Sequence, residues 1–183
     1  GSYRISAVRG NDASNMLLTA KTAEVLWESF GSALSIGAGA LIKSVIYKDG
    51  YICFKTNDYF KKGNAVVAAK DESGNILWSW HIWITDQPQE HVYNNDAGTL
   101  MDRNLGATSA EPDIYSVGLM YQWGRKDPFM GPSSFDQNRE FAKSSITWPT
   151  PVASDPSTGT VEYAIANPTT FITYNENNKG WYY

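Results

Sequence analysis

Hydrophobic and polar positions alternate along much of the first 85 residues, in short runs that end at turn-forming residues. Residues 41–48 and Tyr51–Thr56 are rich in β-branched and aromatic side chains, and Asp49 and Gly50 separate the two runs. Asp-Gly between such runs is typical of a β-hairpin with a two-residue type I′ turn, because both turn residues need a positive φ. The pattern therefore predicts two paired strands here.

A second hairpin is predicted between residues 65–70 and 76–84, where Gly74 and Asn75 can adopt positive φ in the turn. Residues 3–9 and 23–29 add two further strand candidates, which brings the total to about six with short connections. Several short strands with turn signals between them favour an antiparallel β-sandwich over a helical fold. We expect an immunoglobulin-like sandwich in this part of the chain.

Two roles are weighed for the tryptophans of the last predicted strand, packing in the core and stacking on a sugar. Strict alternation places Trp78 and Trp80 on the same face as Ile76, Ile82 and Ile84, and the opposite face receives Leu77, Ser79, His81, Trp83 and Thr85. Flat aromatic rings can stack on sugars. Since isoleucines share their face, core packing is favoured for Trp78 and Trp80, and less so for Trp83. His81 is predicted to be a half-buried strand residue, because no nucleophile motif accompanies it.

Proline and charge divide the chain near residue 86. All eight prolines lie after Thr85. Residues 1–86 carry nine Lys and Arg against eight Asp and Glu, a net charge of +1, whereas residues 87–183 carry six against eleven, a net charge of −5. The polar, proline-broken segment 86–91 is typical of a linker. We therefore predict two domains, residues 1–86 and residues 87–183.

Composition excludes several classes of protein. With 42% hydrophobic, 14% aromatic and 19% charged residues, the 183-residue chain can bury a core. The net charge of −4 argues against a nucleic-acid partner, which needs a basic face. No run approaches the roughly 18–20 apolar residues of a transmembrane helix. One cysteine, Cys53, and two histidines are too few for the usual zinc sites, and Cys53 is expected to be an inert strand residue.

The second part is less regular. Residues 99–107 contain a short strand candidate, and a loop is expected around Glu111–Asp113. Val117, Met120 and Tyr121 have helical spacing, so a helix or tight turn is predicted from about Ser116, with Gly124 able to end it. Residues 148–180 are rich in turns and carry isolated aromatic side chains, which indicates long loops.

Several longer sequence segments resemble segments of one family of surface proteins, the fimbrillin-like proteins of Bacteroidetes that carry a major paralogous domain. We call these segments the family words. The words are Glu24-Val-Leu-Trp-Glu-Ser-Phe30, Gly63-Asn-Ala-Val-Val-Ala-Ala-Lys70, Gly74-Asn-Ile-Leu-Trp-Ser-Trp-His-Ile-Trp-Ile84, Met101-Asp-Arg-Asn-Leu-Gly-Ala107, Gly118-Leu-Met-Tyr-Gln-Trp-Gly-Arg-Lys-Asp-Pro-Phe129 and Asn167-Pro-Thr-Thr-Phe-Ile-Thr173. Together they are spread over most of the chain.

The resemblance implies secretion, placement on the outer surface or at a fimbrial tip, and lipid anchoring of the full-length protein. It also implies that residues 87–183 form an irregular α+β domain similar to C-type lectins and to formylglycine-generating enzymes. In the family this region is usually followed by a Cys-Pro-Ala-Gly-Trp/Tyr-Arg-Val-Pro-like segment. The chain ends at Tyr183 without it, so the second domain is expected to be partial.

No enzyme motif accompanies these words. Gly-x-Ser-x-Gly, His-Glu-x-x-His, a phosphate loop and a dinucleotide fingerprint are all absent from the sequence. Carboxylates for glycoside hydrolysis could come from Asp102, Glu111, Asp113 and Asp127, but their separation cannot be read from sequence. The resemblance carries over no formylglycine chemistry, since the second part has no cysteine. The protein is predicted to be non-enzymatic.

No cofactor or metal is predicted either. Asn94–Asp96 and Glu111–Asp113 offer oxygen ligands of the kind that Ca²⁺ accepts, but turn formation explains both triplets. Arg103, Arg125 and Asp127 could contact a ligand. Because they lie inside the family words, ion pairs and hydrogen bonds that hold the fold are the favoured interpretation.

Loop residues of the second part are the candidate ligand contacts. Trp148, Tyr174, Asn175, Trp181 and Arg125 are chosen as the binding residues, since loops on a rigid scaffold commonly carry recognition. Tyr163 and Tyr182 belong to the same loop-borne set. The aromatic rings could stack a sugar or anchor a protein, and they could equally fill the core of an irregular domain.

Three functions are therefore weighed. The first is a non-enzymatic cell-surface adhesin or fimbrial tip-type protein that binds a glycan or protein ligand through loops of the second part. The second is a structural fimbrial subunit that assembles with other subunits by β-strand addition. The third is a carbohydrate-active enzyme or its accessory module. The first is favoured.

Overall fold

The computed structural model describes residues 1–10, 12–31, 34–35, 39–131 and 147–175, with backbone alone at 34–35. It is mostly β: 40% of these residues are in strands and 6% in helices. The strands are β1 (Ser2–Ser6), β2 (Thr22–Phe30), β3 (Leu34–Ser35), β4 (Ile42–Lys48), β5 (Tyr51–Thr56), β6 (Gly63–Lys70), β7 (Ile76–Ile84), β8 (Glu90–Val92), β9 (Thr99–Met101), β10 (Met120–Tyr121), β11 (Pro128–Phe129), β12 (Val152–Ala153) and β13 (Ile172–Thr173).

Two larger antiparallel sheets form the first part of the chain. The first sheet has the order β1-β5-β4, and the second sheet has the order β3-β2-β6-β7. Three two-stranded pairs follow, β8 with β9, β10 with β11, and β12 with β13, of which the last is parallel. No helix in the described part of the chain is both long enough and apolar enough to cross a membrane.

The predicted hairpins are both present. Asp49 and Gly50 join β4 to β5 with φ values of 50° and 81°, which confirms the type I′ turn. In the β6–β7 turn Gly74 has a φ of 85°, but the expectation of a positive φ at Asn75 was wrong. Asn75 instead donates from its backbone N–H and its amide Nδ2 to Asp71, at 2.8 and 2.9 Å. This side-chain bonding closes the turn without backbone strain.

The two sheets share their apolar side chains. One buried cluster joins Ile52 of the first sheet to Val67 and Ala69 of the second, and a neighbouring cluster joins Ile42 and Phe54 to Ala65. Side chains from both sheets therefore leave water together, which is the main source of stability in a β fold of this kind.

A β-bulge changes which tryptophan of β7 reaches this core. Trp80 and Ile82 pack against the first cluster as predicted. The register shifts between Ala69 and Lys70, so that Leu77 has no partner on β6 and packs against the core instead. Trp78 is 6% exposed, so its predicted burial is confirmed, but it belongs to neither of the two clusters that hold Trp80, Ile82 and Ile84.

The apolar pattern near Ser116 was read correctly only in part. A helix or tight turn was predicted from about Ser116; the structure has a single 3₁₀ turn at Ile114–Ser116, and Met120–Tyr121 is the strand β10. Gly118 ends the turn with a φ of 80°, and a Cβ there would lie 2.6 Å from the carbonyl oxygen of Leu105. The turn therefore ends at a backbone position that favours glycine, although the apolar residues after it have helical spacing.

One α-helix was not predicted. Helix α1 (Val161–Ala166) begins after Thr160, whose hydroxyl accepts a hydrogen bond from the Tyr163 backbone N–H at 3.1 Å. Threonine in this place is a standard N-cap, and Glu162 in the first turn suits the positive end of the helix dipole. These two residues were the available sequence signal.

Candidate binding surface

The second sheet uses its other face to hold the C-terminal segments. Asn64 on β6 is fully buried, and its amide donates to the carbonyl oxygens of Gly31 at 2.6 Å and Gly106 at 2.9 Å. Trp83 on β7 donates from Nε1 to the carbonyl oxygen of Ala107 at 3.1 Å. The backbone carbonyl groups of residues 106 and 107 are therefore bound by two side chains of the sheet and not by the backbone of a paired strand.

His81 completes this arrangement. Its Nε2 lies 2.8 Å from the Asn64 Oδ1. Because the Asn64 amide nitrogen already donates twice, its oxygen is the acceptor, and we assign the proton to Nε2. Burial lowers the pKa of His81 to about 4, so the imidazole is neutral near pH 7. The prediction of a half-buried strand residue is confirmed.

Ser79, Lys126 and Asp127 form a second polar group on the same face. The Ser79 hydroxyl donates to Asp127 Oδ1 at 2.6 Å, and the Lys126 ammonium donates to the Ser79 carbonyl oxygen at 3.0 Å and to both oxygens of Asp127. Burial is the main cause that lowers the pKa of Lys126, and Asp127 opposes it. Because Ser79 is only 3% exposed, its hydroxyl is closed to a substrate.

Arg103 joins Asp86, which follows β7, to Asp102, which follows β9. Its guanidinium pairs with Asp102 at 2.7 Å and with Asp86 at 3.1 Å, and Asp86 also pairs with Lys62. Lys62 and then Arg103 hold the pKa of the Asp86 carboxyl well below its usual range. The fold-holding interpretation is confirmed for Arg103, and the Ser79 contact confirms it for Asp127.

Arg125 also holds backbone. Its guanidinium donates to the carbonyl oxygens of Thr170 and, at 2.8 Å, of Asn167. The same group lies 5.2 Å from the centre of the Phe129 ring. The residue is only 8% exposed, and its Nε–H has no hydrogen-bond partner. Arg125 is therefore beneath the surface rather than among exposed loop residues.

An aromatic run leads from the second sheet to the exterior. Ring centres are 6.1 Å apart between Trp27 and Trp148, 5.9 Å between Trp148 and Phe129, and 5.5 Å between Phe129 and Phe171. Trp27 is 2% exposed and Phe171 is 43% exposed. Met120, paired with Phe129 across β10 and β11, is also exposed. We call Met120, Phe129, Trp148 and Phe171 the aromatic surface.

Gln122 fixes the two chain segments that meet there. Its amide accepts from the Ile172 N–H at 3.3 Å and donates to the Ile172 carbonyl oxygen at 2.5 Å. This two-way contact imitates strand pairing across 50 residues of sequence. Gln122 therefore fixes the segment that follows Met120 to the backbone next to Phe171, and both of these residues belong to the aromatic surface.

The other predicted binding residues lie in different surroundings. Tyr174 is 64% exposed, and Asn175 donates to the Ser154 carbonyl oxygen at 3.0 Å. Trp148 is half-buried between Trp27 and Phe129, so part of its ring packs inside the protein and part of it is exposed to solvent. Trp181 lies outside the described residues, as does Tyr182. Phe129 and Phe171 were not selected from the sequence, although both stand in the longer family words.

The candidate calcium triplets act as turn residues. Asp96 has a φ of 58°, and Asp113 caps the 3₁₀ turn by accepting from the Tyr115 N–H at 2.8 Å. Within the described ranges, no group of three or more His, Cys, Asp or Glu side chains is placed to hold a metal ion.

Comparison with known proteins adds no relative: no family model, no curated protein and no solved structure matches the chain.

Proposed function

We propose that the protein is a non-enzymatic adhesin or fimbrial tip-type protein of the cell surface, lipid-anchored in its full-length form. Its C-terminal part binds a glycan or protein ligand. Within this proposal the two sheets are the layers of an immunoglobulin-like sandwich, and residues 87–183 belong to a lectin-like domain. The resemblance of six sequence words to fimbrillin-like proteins motivates the family and the location.

The aromatic surface is the observation that carries the binding role. Exposed aromatic side chains on a rigid support lose little entropy when they bind, and they offer flat faces to sugar rings and to protein side chains. Phe171 keeps 43% of its surface exposed although it contacts Phe129. Exposed apolar groups that stand together mark interaction sites more often than scattered ones.

Phe171→Ala tests this role. The substitution removes the outermost ring of the aromatic surface, so we expect ligand affinity to fall about tenfold, the effect of losing roughly 1.4 kcal/mol. The ligand comes from a glycan array screened with the wild-type chain, followed by titration calorimetry. Tyr59→Ala is the matched control, because Tyr59 is an 81% exposed aromatic residue in the first part.

Equal binding by the Phe171→Ala and wild-type chains would move the ligand away from this surface. A wild-type chain that binds no glycan on the array would leave the protein-ligand form of the proposal, to be tested with surface proteins of neighbouring or host cells. Turnover of any glycan would refute the non-enzymatic part and favour the carbohydrate-active enzyme.

A structural subunit is the second candidate, and one groove favours it. A cavity of about 300 Å³ opens between the edge strands β1 and β7, with Tyr3, Phe54, Ile82 and Ile84 among its lining residues. Among the described strands, β1 pairs only with β5, and β7 pairs only with β6. An unpaired edge beside an apolar groove is a place where a strand of another subunit could add.

Under this alternative, light scattering at increasing protein concentration should show polymers. Tyr3→Lys should suppress them, because it puts a charge into the groove at a sheet edge. Leu100→Lys is the control, since Leu100 is also exposed and apolar but lies on β9. A chain that stays monomeric at millimolar concentration would exclude self-assembly by this route.

A further inference from the structure

The groove between β1 and β7 also has the size of a small-molecule site. Its volume is about 300 Å³, and at about 30 Å³ for each water molecule of liquid this is space for roughly ten non-hydrogen atoms. Besides the two strands, residues 56–57 and 59–61 line it. None of its lining residues belongs to the aromatic surface, so a ligand bound there is independent of the binding role proposed above.

Aromatic rings form much of the wall of this cavity. The rings of Tyr3 and Phe54 are stacked, with their centres 5.4 Å apart and an angle of 22° between their planes. Tyr3 is 55% exposed, and Phe60 is 69% exposed, so solvent already reaches both rings. Ile82 and Ile84 of β7 add aliphatic surface. A flat apolar ligand can therefore stack on rings that are open to it.

Most polar side chains of the wall already have partners within the protein. The Thr56 hydroxyl accepts from the Gly1 amino group at 2.8 Å, and the Asn57 amide nitrogen donates to two backbone carbonyl oxygens at 3.2 Å. The Thr85 hydroxyl donates to Asp86 at 2.9 Å. A sugar ring would lose hydrogen bonds to water here and recover few of them. The cavity suits a body with few polar groups.

Lys61 is the one charged side chain that lines the cavity. It is exposed, and among the described residues no carboxylate lies within ion-pair distance of its ammonium. The carboxylates nearby in sequence are already paired, Asp58 with Lys43 at 2.7 Å and Asp86 with Lys62. The positive charge of Lys61 is therefore left for an anion.

The ammonium of Lys61 lies beside the aromatic wall. It is 4.8 Å from the centre of the Phe30 ring, and Phe30 packs against the buried cluster that contains Phe54. The lysine stem is flexible and at the surface, so the ammonium can turn to an anion in the cavity while the backbone stays in place.

We propose that this cavity binds a small aromatic carboxylate. The ring of the ligand packs against Tyr3 and Phe60, and its carboxylate pairs with Lys61 at the exposed edge of the cavity. All three side chains are open to solvent in the structure, so binding needs no change in the fold.

Phenylacetate and phenylacetamide test the charge requirement. Both have the roughly ten non-hydrogen atoms that the cavity accommodates, but only the first is an anion. Protein-observed NMR at pH 7 and low salt should give the carboxylate an affinity about threefold to fivefold higher, the effect of one ion pair at an exposed site. Sodium chloride at about 0.5 M should remove this preference, because salt screens exposed charges. Equal affinity at low salt, or no saturable binding of phenylacetate up to about 20 mM, would overturn the proposal.

Cyclohexylacetate tests the requirement for an aromatic ring. It has the charge of phenylacetate and the same number of non-hydrogen atoms, but its ring is not flat. Stacked rings attract each other beyond the effect of buried area, so we expect cyclohexylacetate to bind at least about twofold more weakly. Equal or tighter binding of cyclohexylacetate would refute the aromatic part of the proposal.

Phe60→Ala tests the location. It removes an exposed ring from the wall and leaves both buried clusters intact, so we expect a folded variant whose phenylacetate affinity is at least about threefold lower. Tyr174→Ala is the matched control, because Tyr174 is a 64% exposed aromatic residue outside the cavity. Unchanged affinity in Phe60→Ala would place the ligand elsewhere and refute the site.

Lys61→Gln gives an independent check. Glutamine has no charge, so we expect the variant to bind phenylacetate and phenylacetamide equally well. Lys48→Gln is the matched control, since Lys48 is an exposed lysine on β4 that does not line the cavity, and it should keep the full preference. A preference that persists in Lys61→Gln would show that Lys61 does not bind the carboxylate. Phe171→Ala should bind phenylacetate as the wild-type chain does, so failure of this site and failure of the proposed function give different results.

Discussion

Asn64→Ala is expected to lower the free energy of unfolding by about 3–5 kcal/mol. The Asn64 side chain is fully buried and takes part in three hydrogen bonds, two to carbonyl oxygens and one from His81. Alanine leaves the carbonyls of Gly31 and Gly106 and the imidazole N–H without partners. Each buried group left unsatisfied costs roughly 1–3 kcal/mol.

Urea unfolding at pH 7, followed by tryptophan fluorescence, measures this loss. Asn94→Ala is the matched control, because Asn94 lies in an exposed loop, and it should change stability by less than about 0.5 kcal/mol. A loss below about 1 kcal/mol for Asn64→Ala would mean that the contact between β6 and residue 106 contributes little to the fold.

Acidification from pH 6.5 to pH 4 is expected to remove about 3 kcal/mol of stability through His81. Its pKa is about 4 in the folded protein and about 6.5 in the unfolded chain. Between these values the unfolded chain binds a proton that the folded protein does not, so the free energy of unfolding falls as the pH falls. The difference of about 2.5 pH units corresponds to about 3 kcal/mol.

Unfolding curves at half-unit pH steps measure this slope. His81→Gln should flatten the dependence between pH 6.5 and 4, since a glutamine can still donate to Asn64 but does not titrate. His91→Gln should leave it unchanged, because His91 is exposed on β8. The depressed carboxyl pKa values, such as that of Asp155, also lower stability below about pH 5, where the unfolded carboxyls begin to bind protons, so the His81 contribution is the difference between the wild-type and His81→Gln curves. A wild-type profile that is flat over this range would contradict the burial of a neutral His81.

Local pattern predicted the first part of the fold well. The strands β4, β5, β6 and β7 and the turn at Asp49 follow from alternation and from turn residues, which act over a few neighbouring positions. That Leu77, and not Trp78, packs in the clusters between the two sheets could not be read in the same way. It depends on where β7 pairs with β6, and a bulge of one residue reverses the faces beyond it.

The candidate sites depend on contacts that lie far apart in sequence. Asn64 reaches Gly106 across 42 residues, and Arg125 reaches Thr170 across 45. Polar residues inside apolar strands, such as Asn64 and Ser79, were the available signal that the second face has partners. Their partners are mainly backbone carbonyls, which every residue has, so no residue type marks them in advance.

The polar second face of the sheet also has a consequence for biosynthesis. A ribosome releases β6 and β7 before residues 104–131, so this face is in water for a time with Asn64, Ser79 and His81 on it. Those groups hydrogen-bond to water until the later segments are made, whereas a wholly apolar face would promote association between nascent chains. The nascent sheet thus has some protection of its own before the later segments cover it.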